Sequence, residues 1–220
     1  MFSTTRSFSS QETKTLSKLA AIAIAAIAYF TVIIVILHFL RPDLDPISRT
    51  TSEYAVGPYG FLMTSAFFSM SLACGALVIG LYQGIPGPAR SQLGLGLLGI
   101  WAVGVLIAMI SPIDPEGAPQ TLAGTIHAIN GPLIFFSLTV GVILISKRFR
   151  LDAKWRPFHR LALILSLVML GEFISVPVAM ATGSELGGLA QRIFLTTFVT
   201  WFVLTAVHLR SIAIQSNGMH

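Results

Sequence analysis

Three ionisable residues stand where the sequence is otherwise apolar, and their side chains are the ones best placed to do chemistry. Glu172 lies inside an apolar run, and His127 and Arg192 lie near the beginnings of two others. A charged side chain in hydrocarbon costs about 2.5 to 3.5 kcal/mol even on the most lenient scale, so Glu172 must be paired, hydrated or protonated. We expect Arg192 or His127 to be its partner. Such a set can transfer protons or bind a polar ligand.

Further polar residues are predicted at the same level of the membrane. Ser52 precedes the second apolar run, Asn130 follows His127 at helical spacing, and Gln191 adjoins Arg192. Structural roles are also open: aspartates form turns, arginines and tyrosines lie at the interface, and buried polar groups join helices. The convergence of so many polar types favours a pocket. The candidate pocket residues are Arg41, Asp43, Asp45, Glu53, Tyr54, Asp114, His127, Glu172 and Arg192.

The elements that position these residues follow from composition. Hydrophobic residues make up 54% of the 220 residues and charged residues only 10%, against about 25% charged in soluble domains. The mean hydropathy is +0.80. Because about 20 apolar residues cross the hydrocarbon as a helix, the sequence predicts an all-α, polytopic membrane protein, a bundle of six transmembrane helices. The predicted spans are Leu19–Leu40, Tyr59–Gln83, Leu93–Ser111, Gly124–Ser146, His159–Ala181 and Leu189–Arg210.

The basic residues predict the orientation of the bundle. With the amino terminus in the cytoplasm, only Arg41, Arg49 and Arg192 of the 14 Lys and Arg residues lie outside, as the positive-inside rule requires. Six spans return the carboxyl terminus to the cytoplasm, so the topology is N-in/C-in and the candidate pocket faces outward. The predicted organisation is a cytoplasmic tail (1–17), a membrane domain (18–212) and a second cytoplasmic tail (213–220).

Four segments near the predicted outer helix ends carry a family resemblance. They read HFLRPDLDP from His38, SEYAVGPYG from Ser52, PIDP from Pro112 and GTIH from Gly124. With them the chain resembles, over nearly its whole length, the bacterial six-helix membrane proteins of domain-of-unknown-function family 998. The resemblance implies a multi-pass protein of the bacterial cytoplasmic (inner) membrane. It implies no substrate and no reaction.

The sequence identifies no cofactor. Cys74 is the only cysteine, which excludes a cysteine cluster for zinc or iron–sulfur ligation. His38 and His127 are the candidate metal ligands, and with His159 and His208 they make four histidines at two levels, a pattern that a di-haem protein would need. All four are predicted near the interfaces, which disfavours haem. Nucleic-acid binding is also disfavoured, because the basic residues lie at helix ends and form no patch.

Two classes of function remain open. The first is non-enzymatic: binding, sensing or transport of a small molecule or lipid in the outward-facing pocket, or a role as an accessory subunit of a membrane assembly. The alternative is an interfacial, lipid-directed enzyme that uses carboxylate and histidine acid–base chemistry, or a metal, at the outer leaflet. No Ser/His/Asp or His-x-x-x-His signature supports the enzyme. The expected partners are the lipid bilayer, a lipid or small-molecule ligand, and other membrane subunits.

Overall fold

A computed structural model of the chain describes residues 8–182 and 185–217. Within these ranges the structure is all-helical, and six helices are long and apolar enough to cross a membrane, which confirms the predicted fold class. Short 3₁₀ helices lie in three of the connections, at Thr51–Ala55, Gly87–Ala89 and Phe149–Leu151. The long helices are α1, Ser10–Leu40; α2, Gly60–Gly84; α3, Gln92–Ile110; α4, Leu122–Arg148; α5, Arg156–Ala181; and α6, Gly187–Asn217.

The first helix begins nine residues before the predicted span because a capping box starts it early. The hydroxyl of Ser9 accepts from the backbone N–H of Glu12 at 3.2 Å, and the backbone N–H of Ser9 donates to the Glu12 carboxylate at 2.8 Å. These two bonds satisfy N–H groups that a helix start leaves unpaired. The polar segment 10–17 is therefore helical. The remaining parts of the two predicted tails, 1–7 and 218–220, lie outside the described residues.

The six helices form a ring. Each packs against its neighbours in the sequence, and α6 packs against α1 and touches α2. Short connections make consecutive helices antiparallel. The α1–α2, α3–α4 and α5–α6 connections consequently share one end of the bundle, which we call the loop end. The beginning of α1 and the end of α6 share the other, the terminal end.

Aromatic side chains fill the middle of the ring. The Trp101 ring lies 4.8 Å from that of Phe198, and Phe198 lies 4.9 Å from Phe202. Nearer the terminal end, Trp201 Nε1 donates to the hydroxyl of Ser146 at 3.0 Å and so joins α6 to α4. Two cavities lie between this aromatic layer and the loop end. A further pocket lies at the terminal end, between the beginning of α1 and the end of α2.

Candidate functional site

Arg41 holds together the two ends of the first loop, residues 41–59. Its side chain is only 8% exposed. Nε and Nη2 donate to the Asp43 carboxylate at 2.9 and 2.8 Å, and Nη1 donates to the carbonyls of Val56 and Pro58 at 2.7 and 3.2 Å. The guanidinium also holds the pKa of the exposed Asp43 carboxyl below its usual value. Arg41 and Asp43 therefore shape the loop.

Arg192 joins α6 to α1 and to the first loop. Its Nε donates to His38 Nε2 at 2.9 Å, Nη1 donates to the carbonyls of Arg49 and Gly188 at 2.6 and 3.1 Å, and Nη2 donates to the Tyr54 hydroxyl at 3.2 Å. Tyr54 is completely buried beneath this cluster. Arg192 and Tyr54 thus turn into the protein and do not extend toward lipid headgroups. Long-range hydrogen bonds hold both inside the protein.

The same contacts occupy both ring nitrogens of His38. Its Nδ1 lies 2.6 Å from the carbonyl oxygen of Ile34, which can only accept, and its Nε2 accepts from Arg192. This pattern corresponds to the tautomer with the hydrogen on Nδ1. Neither ring nitrogen is left for a metal ion. Among the described residues there is also no group of three or more His, Cys, Asp or Glu side chains that could hold one.

The beginning of α6 packs directly on the backbone of the first loop. A Cβ at Gly188 would lie 2.4 Å from the carbonyl oxygen of Arg49, so only glycine permits this approach. One turn later, the side-chain oxygen of Gln191 accepts from the backbone N–H and the hydroxyl of Thr51 at 2.8 and 3.1 Å. The amide of Gln191 is thereby oriented with its NH₂ group away from the loop.

Two other acidic candidates in the first loop make local hydrogen bonds. Asp45 accepts from the N–H of Ile47 at 3.2 Å and from the hydroxyl of Ser48 at 2.9 Å, and these bonds lower the pKa of its carboxyl. Glu53 accepts from the N–H of Thr50 at 2.7 Å and so caps the 3₁₀ helix that follows. Both side chains stabilise turns.

Asp114 performs a similar task at the beginning of α4. Its carboxylate accepts from the hydroxyl and the backbone N–H of Thr121 at 2.7 and 2.9 Å, which lowers its pKa. Thr121 in turn is the N-cap of α4 and accepts from the N–H of Gly124 at 3.0 Å. Asp114 thus fixes the start of the helix that carries His127.

Glu172 does not pair with either expected residue. Its Oε1 accepts from the hydroxyl of Thr197 on α6 at 2.8 Å, and its Oε2 is buried without a partner among the described residues. His127 Nδ1 lies 2.8 Å from the carbonyl oxygen of Ser111 instead. Arg192 cannot reach Glu172 from the same helix face as Thr197. It lies five residues before Thr197 on α6, which places the two side chains about 140° apart around the helix axis. The expected partners, Arg192 and His127, are therefore wrong, but the hydrogen bond to Thr197 does join α5 to α6, the structural role left open for buried polar groups.

Two adjoining cavities lie inside the ring near the loop end. The inner cavity has a volume of about 60 Å³ and is lined mainly by α2, α3 and α4, with smaller contributions from α1, α6 and the first loop. The outer cavity has a volume of about 360 Å³ and lies among α4, α5, α6 and the first loop. The residues that line both cavities are Ser52, His127, Gly131, Phe135 and Gln191.

The polar groups of the shared wall are incompletely paired. His127 Nδ1 donates to the carbonyl of Ser111, and its Nε2 has no partner among the described residues; the same is true of the NH₂ group of Gln191. Pro132 lacks an N–H, so the carbonyl of Ala128 has no helical donor, and both residues line the outer cavity. No Asp, Glu, Lys or Arg occurs among the described residues lining either cavity.

Only His127 of the nine predicted site residues lines these cavities. Arg192 hydrogen-bonds to Tyr54 and Arg41 pairs with Asp43, while Asp45, Glu53, Asp114 and Glu172 each make separate contacts. The polar residues that accompany His127 are Ser52, Asn130 and Gln191, which the sequence placed at this level without selecting them. Trp101, which lines the inner cavity, was missed because nothing distinguishes one tryptophan within an apolar run.

Comparison with known proteins identifies one family. The sequence matches the family described as "Protein of unknown function (DUF998)" over residues 23–208, which includes the greater part of all six helices. No curated protein and no solved structure matches the chain.

Replacing Arg192 with lysine should destabilise the fold. A lysine keeps the charge but cannot donate to four separated acceptors at once, so at least one buried acceptor loses its partner. We expect the free energy of unfolding in mixed micelles to fall by about 1 to 3 kcal/mol. Arg210→Lys, an exposed position on the same helix, is the matched control. Equal effects of the two substitutions would contradict the role given to Arg192.

Asp114 should make the bundle sensitive to acid. Because the folded protein lowers the pKa of this carboxyl, its contribution to stability is present above the unfolded value near 3.9 and is lost as the pH falls through the folded pKa. Acidification from pH 6 to pH 3 should therefore lower the unfolding temperature more in the wild type than in Asp114→Asn. Glu185→Gln, at another exposed carboxyl, should behave as the wild type; parallel curves for all three proteins would refute this.

Proposed function

Because the chain belongs to the DUF998 family, whose members have no assigned function, we propose a role from the cavities: it binds an uncharged amphipathic small molecule at the loop end of the bundle. One observation carries the proposal. Two adjoining cavities share a wall on which the nitrogen atoms of His127 and Gln191 have no partner among the described residues. A ligand seated against this wall could hydrogen-bond to both groups.

The chemistry of the wall supports a ligand that both donates and accepts hydrogen bonds. In its neutral form His127 offers an acceptor at Nε2, and the carbonyl of Ala128 offers another. The NH₂ group of Gln191 is a donor, and the Ser52 hydroxyl can act either way. A hydroxyl, an amide or a carbonyl with a neighbouring N–H matches this set.

The absence of charged lining residues supports a neutral ligand. Transfer of an ion into an apolar site is very costly unless a counter-charge or several hydrogen bonds compensate it. The nearest candidate counter-ion on α6, Arg192, already donates to four acceptors in α1, α6 and the first loop. A carboxylate, phosphate or ammonium group would therefore find no opposite charge among the described lining residues.

The rest of the outer cavity suits a hydrocarbon or ring. Phe135, Phe173, Phe194 and Ile113 form most of its apolar wall, and burial of apolar area contributes about 25 cal/mol per Å². We place the loop end on the outer side of the membrane and both chain ends in the cytoplasm, following the distribution of Lys and Arg. The protein then serves as an outward-facing binding protein of the bacterial inner membrane, with membrane domain 18–212.

An acid–base enzyme is a second candidate, and one observation favours it. His127 is held by a backbone carbonyl at Nδ1, which leaves Nε2 as the base, an orientation common in catalytic histidines. Its expected carboxylate partners are engaged elsewhere, since Asp114 accepts from Thr121 and Glu172 accepts from Thr197. A reaction would have to use His127 with the Ser52 hydroxyl or with water, so we prefer the binding role.

Extraction of the purified protein tests the proposal directly. Organic extracts of the wild type, analysed by mass spectrometry, should contain a neutral amphipathic molecule in near-stoichiometric amount. Gln191→Leu should reduce its recovery about fivefold or more, because a hydrogen bond in the site is lost. The matched control is Gln215→Leu, an exposed glutamine at the other end of the same helix. An anionic or cationic molecule, or equal recovery from both variants, would overturn the proposal.

A further inference from the structure

The inner cavity offers a second place for a polar group, nearer the terminal end than the wall shared with the outer cavity. We propose that it binds a hydroxyl group of the same ligand, so that the ligand is a molecule with polar groups at both ends, such as a diol or a hydroxylated amphiphile. The inference rests on the proposed function, because the ligand reaches the inner cavity through the outer one. It specifies the chemical group that the inner cavity would bind.

Trp101 supplies the donor. The side chain is 1% exposed, it lines the inner cavity, and its Nε1 has no hydrogen-bond partner among the described residues. A buried N–H without an acceptor is costly. Trp201, one of the other buried tryptophans, shows the usual solution, since its Nε1 donates to the Ser146 hydroxyl at 3.0 Å. Trp101 needs an acceptor, and the cavity is where a ligand atom can supply it.

Asn130 supplies the acceptor. Its Nδ2 donates to the carbonyl oxygen of Gly104 at 2.8 Å, and its Oδ1 lies beside the same residue, 3.0 Å from where a Cβ of Gly104 would be. The two helices are close here, because a Cβ at Gly104 would lie 2.0 Å from Ile134 Cγ2. No described residue donates to Oδ1, and Asn130 lines the inner cavity. The amide is thus held rigidly with a free acceptor.

A hydroxyl is the group that matches this pair. It can accept from Trp101 Nε1 and donate to Asn130 Oδ1 at the same time, whereas a carbonyl or an ether can only accept. A charged group would find no counter-charge among the described lining residues. The volume of about 60 Å³ has room for a hydroxyl with one or two carbon atoms, or for one or two water molecules.

The register of α3 and α4 gives the spacing between the two polar ends. His127 contacts the carbonyl of Ser111, and Asn130 contacts the carbonyl of Gly104. These carbonyls are seven residues apart, about 10 Å along α3, whereas His127 and Asn130 are three residues apart, about 4.5 Å along α4, so the spacing of the two polar ends lies between these values. A flexible eight-carbon chain with an oxygen at each end can reach across this whole range, so 1,8-octanediol is a suitable probe.

The test compares two probes that differ in one O–H group. Binding of 1,8-octanediol and of 8-methoxyoctan-1-ol is measured by ligand-observed NMR with the full chain in lipid nanodiscs and with empty nanodiscs as background. The wild type should bind the diol roughly five- to tenfold more tightly, the worth of one hydrogen bond in a dry site. Trp101→Phe should weaken the binding of both probes, because a hydroxyl and an ether oxygen can each accept from Nε1, whereas Asn130→Leu should bring the ratio close to one, because only the hydroxyl can donate to Oδ1.

Trp155→Phe is the matched control. Trp155 is completely buried and its Nε1 also lacks a partner among the described residues, but it lines neither cavity. This variant should keep the wild-type affinity for both probes. Unchanged affinity for both probes in Trp101→Phe, an equal loss in Trp155→Phe, or a preference for the diol that survives in Asn130→Leu would overturn the assignment of the inner cavity.

If a variant does not fold, the binding measurements on the wild type still test the inference. Equal affinity of the wild type for the two probes would mean that the inner cavity holds only water, and would overturn this inference while the outer site stands. Weaker binding of both probes to Gln191→Leu, with the preference for the diol unchanged, would support both sites. Failure of both probes to bind the wild type above background would overturn both proposals.

Discussion

The hydrogen bonds of Arg192 are the constraint on which the loop end depends. A guanidinium that leaves water needs partners for its donors, and here a histidine, a tyrosine and two backbone carbonyls provide them. Because these partners come from α1, the first loop and α6 itself, the last helix cannot move away from the first without unpairing a charge. The ring is thereby closed at the end where its cavities lie.

The same contacts determine the chemistry of the cavities. Arg192 and Gln191 are consecutive, so on a helix they point about 100° apart. Since Arg192 is held toward α1 and the first loop, Gln191 is directed to the shared wall, where Thr51 orients its amide. The cavities are therefore lined by the neutral NH₂ group of Gln191 and not by the positive charge of Arg192. This arrangement supports our proposal of an uncharged ligand.

The sequence was sufficient for the architecture, because the length of the apolar runs alone determines how many helices can cross a membrane. It also identified the turn-forming role of Asp45. Hydrogen-bond partners that are distant in the sequence were harder to predict. His38 and Arg192 are 154 positions apart, and no local pattern joins them. Glu172 was assigned to the wrong partners because its contact, Thr197, depends on how α5 and α6 rotate against each other. The inner cavity depends on packing around Trp101, which a hydrophobic pattern does not encode.

A density map of the wild-type protein in lipid nanodiscs, at a resolution that separates side chains, would test the central claim most directly. We expect elongated non-protein density in the outer cavity, in contact with His127 Nε2 and the NH₂ group of Gln191, and with no charged group of the protein beside it. Cavities that contain only isolated water peaks, or that are closed by side chains, would contradict the account.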